Sequence, residues 1–194
     1  MMSQPLAERL RPKTLDDYIG QKHLVGQGAV LRKMIDAGRV PSFILWGPPG
    51  VGKTTLAQII ANKLDAPFYT LSAISSGVKD VREVIEKAKS NRFFNTVSPI
   101  LFIDEIHRFS KSQQDSLLNA VETGVVTLIG ATTENPSFEV IRPLLSRCQV
   151  YVLKSLDKND LLTLLHKAIA EDVVLKDKNL SLIHISEPTR RRGI

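Results

Sequence analysis

The stretch that decides the fold is SFILWGPPGVGKTTLAQIIANKL, residues 42–64. It begins with an apolar run that is typical of a strand buried on both faces, continues through a glycine-rich loop, and ends in a helical pattern. From Gly47 to Thr54 the loop fits the pattern G-x-x-x-x-G-K-[ST]. Because a strand precedes the loop and a helix follows it, we interpret it as a phosphate-binding loop rather than as a glycine turn that merely joins the two elements.

The residue types of this loop predict how it holds a nucleotide. Its glycines let backbone N–H groups turn inward around the phosphates, and the following helix adds its positive N-terminal end. Lys53 is expected to reach the β- and γ-phosphates, and the Thr54 hydroxyl is expected to bind Mg²⁺, so the predicted ligands are ATP and Mg²⁺. The predicted nucleotide-binding residues of the loop are Gly47, Pro48, Pro49, Gly50, Val51, Gly52, Lys53, Thr54 and Thr55.

Further apolar runs, separated by stretches of helical periodicity, extend the pattern along the chain. Strands that alternate with helices indicate an α/β fold with a parallel sheet flanked by helices. The predicted strands are 42–46, 67–72 (the weakest), 99–104, 125–132 and 148–153.

The predicted strand in PILFIDEIH, residues 99–107, ends in two acids. An acid at the carboxyl end of a parallel strand lies at the ligand-binding edge of such a sheet. Asp104 is expected to bind the hydration shell of Mg²⁺, and Glu105 is expected to orient and deprotonate the attacking water. The alternative is that Glu105 caps the next segment and only Asp104 has a role in the site.

Polar residues follow the predicted strand in VVTLIGATTENP, residues 125–136. One of Thr132, Thr133 and Asn135 is a candidate for a hydrogen bond to the γ-phosphate or to the attacking water. The same residues before Pro136 also form an ordinary turn, and the pattern alone does not decide between the two.

Composition limits the class of protein. The chain has 194 residues, of which 43% are hydrophobic and 24% charged, and a single cysteine. These values are ordinary for a globular protein, and one cysteine excludes an internal disulfide framework. The N-terminus lacks the apolar centre of a secretory signal, and we find no apolar run that could span a membrane. We therefore expect a cytoplasmic protein with no membrane partner.

The C-terminal residues 180–194 stand apart from the rest of the chain. The stretch Leu180–Arg190 resembles a sequencing-library adapter translated in one frame, and we expect residues 180–194 to be a non-native tail. Without the three arginines and one glutamate of this tail, the net charge of +6 becomes +6 − 3 + 1 = +4. A mildly basic chain permits binding to nucleic acid but does not require it.

Together these motifs resemble the AAA+ ATPases, a branch of the P-loop NTPases. ERLRPKTLDDYIGQKHLVG, residues 8–26, is similar to the N-terminal signature of the clamp-loader branch. DEIHRFSKSQQDSLLNAVETG and LIGATTENPSFEV resemble the replication-associated recombination protein A family, whose members act at stalled or damaged replication forks. The resemblance extends from residue 5 to about residue 175.

The resemblance implies roles for individual residues. It makes Gly47–Thr54 the Walker A loop and Asp104–Glu105 the Walker B pair, assigns the sensor-1 position to Thr133, and places Tyr18 and Ile19 near the adenine. It also implies a sheet of five parallel strands, with the phosphate-binding loop after the central one.

The resemblance further implies a division into domains. It predicts an N-terminal clamp-loader-type segment (1–26), an α/β ATPase core (27–155) and the start of a truncated helical lid (156–179). The sensor-2 arginine and the oligomerisation region would then lie beyond this stretch, so we expect hydrolysis of the full-length protein rather than of this stretch alone.

A lone arginine, Arg147, lies in PLLSRCQVYV, residues 143–152. By resemblance, this arginine projects into the nucleotide site of a neighbouring subunit, where it stabilises charge on the transferred phosphoryl group. That role implies a homo-oligomer. The alternative is a surface arginine paired with a carboxylate, and spacing alone does not separate the two. Cys148 is expected to fill space in the core rather than to act as a nucleophile.

DNA contacts are predicted in residues 75–92, which resemble a backbone-tracking segment of clamp loaders. Lys79 and Arg82 are the candidate phosphate contacts. Acids are interleaved with these bases, so a solvated helix face with ion pairs four residues apart is an alternative. His107 and Arg108 either couple DNA to the nucleotide site or form an ordinary surface pair.

Three functions are compatible with the sequence. The first is a DNA-stimulated ATPase that acts on forks or single-strand/duplex junctions, in the nucleoid and with replication proteins such as single-stranded-DNA-binding protein as partners. The second is a branch-migration motor, and a pore hairpin between the two acids and the strand at 125–132 would favour this function. The third is a nucleotide-gated interaction module whose turnover is incidental.

Overall fold

The computed structural model describes residues 5–73, 76–92, 97–172 and 175. The predicted tail at 180–194 and most of 173–179 lie outside these residues. The described chain forms one five-stranded sheet in which all pairings are parallel. Its strands are β1 (Phe43–Trp46), β2 (Phe68–Ser72), β3 (Ile100–Asp104), β4 (Thr127–Thr132) and β5 (Gln149–Val152). The predicted α/β fold is therefore confirmed.

Helices connect and flank these strands. They are α1 (Leu6–Arg9), α2 (Lys22–Val25), α3 (Val30–Asp36), α4 (Lys53–Lys63), α5 (Val78–Arg92), α6 (Lys111–Glu122), α7 (Pro136–Glu139), α8 (Arg142–Leu145) and α9 (Lys158–Glu171), with a 3₁₀ turn at Ile106–Arg108. None of the helices in the described ranges is both long and apolar enough to cross a membrane.

The order of the strands corrects one expectation. The sheet runs β2-β3-β4-β1-β5, so the middle strand is β4 and the phosphate-binding loop follows the strand beside it. The chain crosses from β1 to the far edge at β2, returns through β3, and inserts β4 between β3 and β1. The expectation that the loop follows the central strand is therefore wrong, although β1 has a neighbour on each side.

Apolar side chains cover both faces of the sheet. Phe43, Ile44 and Leu45 of β1 and four residues of β3 are buried, which explains why these strands show no apolar–polar alternation. One core cluster packs the N-terminal segment, α3 and α4 against one face. A second cluster packs α5, α6 and α8 against the other face.

The register of the sheet brings the strand ends to one edge. Trp46, the last residue of β1, pairs with Thr132 of β4 and with Val152 of β5. Ile103 pairs with Gly130, which sets the end of β3 level with the last residues of β4. The phosphate-binding loop, the two acids and the polar residues after β4 therefore leave the sheet at the same edge.

Reciprocal side-chain caps fix where two of the helices begin. Ser110 and Gln113 form a reciprocal capping box at the start of α6, and Asp157 and Asp160 form one at the start of α9. Such caps satisfy backbone N–H groups that have no partner inside the helix.

The N-terminal segment joins the sheet to α9. The buried Gln21 amide donates to the Lys154 carbonyl at 2.7 Å and accepts from the Lys154 N–H at 2.9 Å. Arg9 pairs with the buried Asp172 at 2.6 Å, just after α9. Residues of the predicted segment 1–26 thus contact both the core and the start of the predicted lid, while the domain boundaries themselves stay a prediction.

Cys148 is half-buried against the second core cluster, and burial raises the pKa of its thiol to about 11. We predict that at pH 8 it reacts with iodoacetamide about 100-fold more slowly in the folded chain than in urea, because its thiolate fraction is lower by that factor. Since the chain has one cysteine, mass spectrometry of the intact protein measures both rates. Equal rates in the folded and unfolded chain would contradict the assignment of Cys148 as an inert packing residue.

Candidate nucleotide-binding and catalytic site

A cavity of about 690 Å³ opens at the carboxyl edge of the sheet. The phosphate-binding loop, the two acids, the N-terminal segment and α9 all contribute to its wall. Its lining residues are Leu6, Ala7, Leu10, Arg11, Pro12, Tyr18, Ile19, Pro49, Gly50, Val51, Gly52, Lys53, Thr54, Thr55, Asp104, Glu105, Leu156, Leu164, Leu165, Lys167 and Ala168. Most residues predicted for nucleotide binding therefore meet in one place.

Lys53 is held by the loop it follows. It is buried as the first residue of α4, and its Nζ donates to the Gly47 carbonyl at 2.8 Å and to the Pro48 carbonyl at 2.9 Å. Burial lowers the pKa of Lys53, while the charges of Glu105 and Asp104 oppose that shift. The loop carbonyls thus fix a cation at the helix N-terminus, where phosphate oxygens are favoured.

Gly47 and Pro48 are predicted loop residues that support the cavity from behind rather than line it. A Cβ atom on Gly47 would lie 2.6 Å from the Leu153 carbonyl oxygen, so glycine is required where the end of β5 passes the start of the loop. The Gly47 N–H also donates to the Thr132 carbonyl at 3.1 Å. The loop is therefore anchored to the ends of both β4 and β5.

Tyr18 backs the phosphate-binding loop. Its ring is buried, and its hydroxyl lies 3.1 Å from the Val51 carbonyl and 3.3 Å from the Gly52 carbonyl. Burial raises the pKa of this hydroxyl, which keeps it a neutral donor. Tyr18 and Ile19 both line the cavity, while their position near the adenine stays a prediction. The hydroxyl of Tyr18 supports the loop itself, a role that the resemblance to the family did not suggest.

Glu105 has an unusual backbone. Its φ of 53° and ψ of 48° lie in the left-handed region, which costs a non-glycine residue roughly 1–2 kcal/mol. This turn takes the chain from β3 into the 3₁₀ turn and leaves Asp104 and Glu105 both lining the cavity. Glu105 precedes the 3₁₀ turn, but its side chain makes no capping hydrogen bond, which argues against the capping alternative.

The carboxylate of Glu105 is held from the side of β4. Its Oε2 atom accepts a long hydrogen bond from the Thr133 hydroxyl at 3.4 Å and lies 3.1 Å from Nδ1 of His107. The side chain of Glu105 is 28% exposed, so water can reach it. An acid that is positioned and accessible to solvent has the arrangement expected of a general base.

The structure separates the three polar candidates after β4. The buried Thr132 hydroxyl is occupied by the Glu134 backbone and by His107, and the Asn135 side chain caps α7 by accepting from the Ser137 N–H at 3.0 Å. Thr133 is the residue whose side chain faces Glu105. Local hydrogen bonds therefore occupy Thr132 and Asn135. Thr133 does not line the cavity itself, and its role at the sensor-1 position stays a prediction.

The donors at this edge fit Mg²⁺. The Thr54 hydroxyl and the Asp104 carboxylate line the same cavity, and both are oxygen ligands. In the described ranges, no three His, Cys, Asp or Glu side chains cluster as a metal site. This arrangement suits Mg²⁺, which is usually held by one or two protein oxygens together with water and substrate phosphates.

Arg147 is not among the residues that line the cavity. It forms an ion pair with Glu122, and its Nη1 donates to the Pro143 carbonyl at 2.7 Å and to the Ser146 hydroxyl at 3.1 Å. Both charged side chains of the pair are more than a third exposed. The carboxylate pairing that was the alternative interpretation is thus present in the isolated chain, but an exposed pair is worth at most about 1 kcal/mol and is easily exchanged.

The two predicted DNA contacts lie on the exposed side of α5. Lys79 and Arg82 are exposed, and neither forms an ion pair with any residue in the described ranges. The pairs on this helix join Glu83 to Lys87 and Glu86 to Lys89. The alternative of a paired helix face therefore applies to its second half and not to the two candidates.

Two polar residues have roles that were not predicted from the sequence. His107 contacts both Glu105 and Thr132.

Gln114, which is 1% exposed, donates to the carbonyls of Phe109 and Glu139 and accepts from the Ile141 N–H. The position of Gln114 three residues before Leu117, on the apolar face of α6, was the available signal for a buried, fully bonded amide.

Several known proteins are similar to this chain. Residues 43–156 match the model of the ATPase family associated with various cellular activities (AAA). Proteins named Replication-associated recombination protein A are similar over most of the chain. The protein of Haemophilus influenzae is 53% identical, over 86% of this chain and 37% of its own length. The protein of Escherichia coli K12 is 51% identical, over 90% of this chain and 41% of its own length. The chain therefore spans about two fifths of the length of these relatives.

A solved structure is also similar. The Thermotoga maritima RuvB Holliday junction branch migration motor superposes with a TM-score of 0.68 and 32% sequence identity, over 83% of this chain and 54% of that one. The family and the fold expected from the sequence are confirmed by these matches.

The contact between Tyr18 and Gly52 yields a stability prediction. Gly50 (φ +76°) and Gly52 (φ +93°) both need the left-handed region, but only a Cβ on Gly52 would meet Tyr18, at 2.9 Å from its hydroxyl. We expect Gly50→Ala to lower the free energy of unfolding by about 1 kcal/mol, and Gly52→Ala to lower it by about 1–3 kcal/mol more because the buried ring must move. Urea unfolding measures both variants, and equal losses would show that the ring adjusts without cost.

Proposed function

Because the chain belongs to the AAA family of ATPases, we propose that it is the nucleotide-binding part of a protein that hydrolyses ATP with Mg²⁺ and acts on DNA at stalled or damaged replication forks. The observation that carries the ATPase proposal is the meeting of Lys53, Thr54, Asp104 and Glu105 in one cavity. Binding alone needs only the loop, whereas a carboxylate directed at the same cavity provides a base for water.

The residues divide the reaction between them. Lys53 and the N-terminus of α4 hold the phosphates, and Tyr18 supports the loop from behind. Glu105 accepts the proton of the attacking water, and Thr133 helps to orient that carboxylate. Thr54 and Asp104 would hold Mg²⁺, which draws charge from the phosphate oxygens when bound. Binding and water activation thus rest on different side chains.

The DNA part of the proposal rests on the relatives. Proteins of about 50% identity carry the name Replication-associated recombination protein A, and the structural neighbour RuvB is a branch migration motor. We favour a fork ATPase over a branch-migration motor because only Thr123–Val126 joins α6 to β4, which leaves no room there for a pore hairpin. Lys79 and Arg82 are the proposed backbone contacts.

Arg147 is proposed to act in trans. It is absent from the cavity wall of its own chain, and its pairing with Glu122 is weak enough for a nucleotide phosphate on a neighbouring subunit to replace it. This assignment makes a homo-oligomer the working form. We further propose a nucleoid location and single-stranded-DNA-binding protein as a partner, in keeping with a role at forks.

We predict that the full-length gene product hydrolyses ATP faster when forked DNA is present. Glu105→Gln should keep nucleotide affinity and lose turnover by at least about 100-fold, because the amide cannot accept the proton of water. Steady-state phosphate release, with and without DNA, measures both effects. Slow turnover that is indifferent to DNA, together with tight ATP binding, would favour the nucleotide-gated module instead.

The DNA contacts have a matched control on the same helix. Lys79→Ala with Arg82→Ala should weaken DNA binding and reduce the slope of log affinity against log salt by about 2, one for each lost phosphate contact. Lys87→Ala with Lys89→Ala removes the same charge from residues that are already paired, and should change the slope less. Equal effects of the two pairs would mean that α5 attracts DNA only through its net charge.

Action of Arg147 in trans predicts complementation between variants. Arg147→Ala should reduce turnover by about 1000-fold or more while nucleotide binding persists. Mixing it with Lys53→Ala subunits should restore part of the activity, at interfaces that join an intact cavity to an intact arginine. Glu122→Gln serves as the control, since losing an exposed ion pair should leave turnover nearly unchanged. Failure of every mixture to regain activity would refute the trans assignment.

A further inference from the structure

His107 occupies the gap between the acid pair and the end of β4. It lies in the 3₁₀ turn that follows Glu105, and its side chain is only 13% exposed. Its Nδ1 atom is 3.1 Å from Oε2 of Glu105 and 3.0 Å from the hydroxyl of Thr132. One ring nitrogen thus faces two oxygen atoms at once.

The hydrogen-bond pattern fixes where the proton of this ring lies. A carboxylate can only accept, so the short distance to Glu105 requires a hydrogen on Nδ1. The Thr132 hydroxyl is 3.2 Å from the Glu134 carbonyl, to which it donates, and it accepts from the Glu134 N–H at 3.0 Å. With its own hydrogen used in this way, Thr132 also accepts from Nδ1–H. The imidazole therefore carries a hydrogen on Nδ1 in either charge state.

We propose that His107 is a positioning residue for the catalytic carboxylate, and that its Nδ1–H is the group that fixes Glu105 for attack on water. Together with the Thr133 hydroxyl it ties down Oε2. The other carboxylate oxygen, Oε1, makes no hydrogen bond within the described part of the chain and is the one left to accept the proton. This inference rests on the proposed ATPase function.

The burial of Thr132 makes the arrangement rigid. Thr132 is 0% exposed and ends the strand that pairs with β1, so its hydroxyl is fixed by the sheet. His107 contacts both this fixed hydroxyl and the Glu105 carboxylate, and thereby holds the carboxylate in place. The left-handed backbone of Glu105 alone does not determine where its side chain points. A contact of this kind affects the rate of the chemical step rather than the affinity for nucleotide.

The test compares three variants in the full-length gene product. An asparagine amide places an N–H at the position of Nδ1, a glutamine amide places one at the position of Nε2, and alanine provides neither. We expect His107→Asn to keep kcat within about fivefold of wild type, and His107→Gln and His107→Ala to lower kcat by about 10- to 100-fold with KM nearly unchanged. Steady-state ATP hydrolysis gives both constants.

A second comparison tests whether the residue acts through Glu105. In the Glu105→Gln background, His107→Ala should cause no further loss of kcat, since the group that it positions is already gone. Equal activity of the Asn and Gln variants, an additional loss in the double variant, or a His107→Ala enzyme as fast as wild type would each overturn the proposal. A wild-type protein without ATPase activity, or an unimpaired Glu105→Gln variant, would instead reject the proposed function.

Discussion

Because β1, β3 and β4 are parallel and in register, their carboxyl ends reach one edge of the sheet together, and every part of the site depends on this alignment. Trp46 pairs with Thr132, and Ile103 pairs with Gly130, so the loop, the acids and the polar turn follow at the same level. The buried apolar residues of both faces hold the register, since a slip would expose them. Packing of the apolar core therefore keeps the loop, the acids and the polar turn in place at the edge of the sheet.

The site combines strain with support. Glu105 and Gln21 both adopt left-handed backbone conformations that cost a non-glycine residue free energy, and each has side-chain partners that hold it. Glu105 is held by Thr133 and His107, and Gln21 by both backbone groups of Lys154. Strain of this kind persists where surrounding contacts define the conformation. In the described part of the chain it occurs at the acid pair, at the link to α9 and at Asp65 in the turn after α4.

The sequence was sufficient for features that depend on neighbours in the chain. The loop from Gly47 to Thr54 and the two acids after β3 are local patterns that follow directly from a buried strand. The strand order was not predictable in this way, and the expectation of a central β1 failed, because which strands pair is decided by contacts between distant residues. The positions of the strands along the chain were easier to predict than their order, because apolar runs in the sequence mark each strand.

The roles of several polar residues depend on side-chain geometry that the sequence does not show. Thr132, Thr133 and Asn135 looked equivalent in sequence, and only the hydrogen bonds of the folded turn distinguish them. His107 was considered as a surface or coupling residue because a histidine two positions after a glutamate has no fixed partner in sequence. A positive φ at Glu105 brings the two together, and a glutamate in the sequence does not indicate that conformation.

The cavity also joins the two ends of the described chain. Leu6 and Leu10 lie on one side, and Leu164 and Ala168 lie on another, more than 150 positions later. Arg9 and Asp172 close the same connection with an ion pair. A nucleotide in this cavity would act as a noncovalent crosslink, because it would contact both the N-terminal segment and α9, and its binding would then add to the cohesion of the molecule.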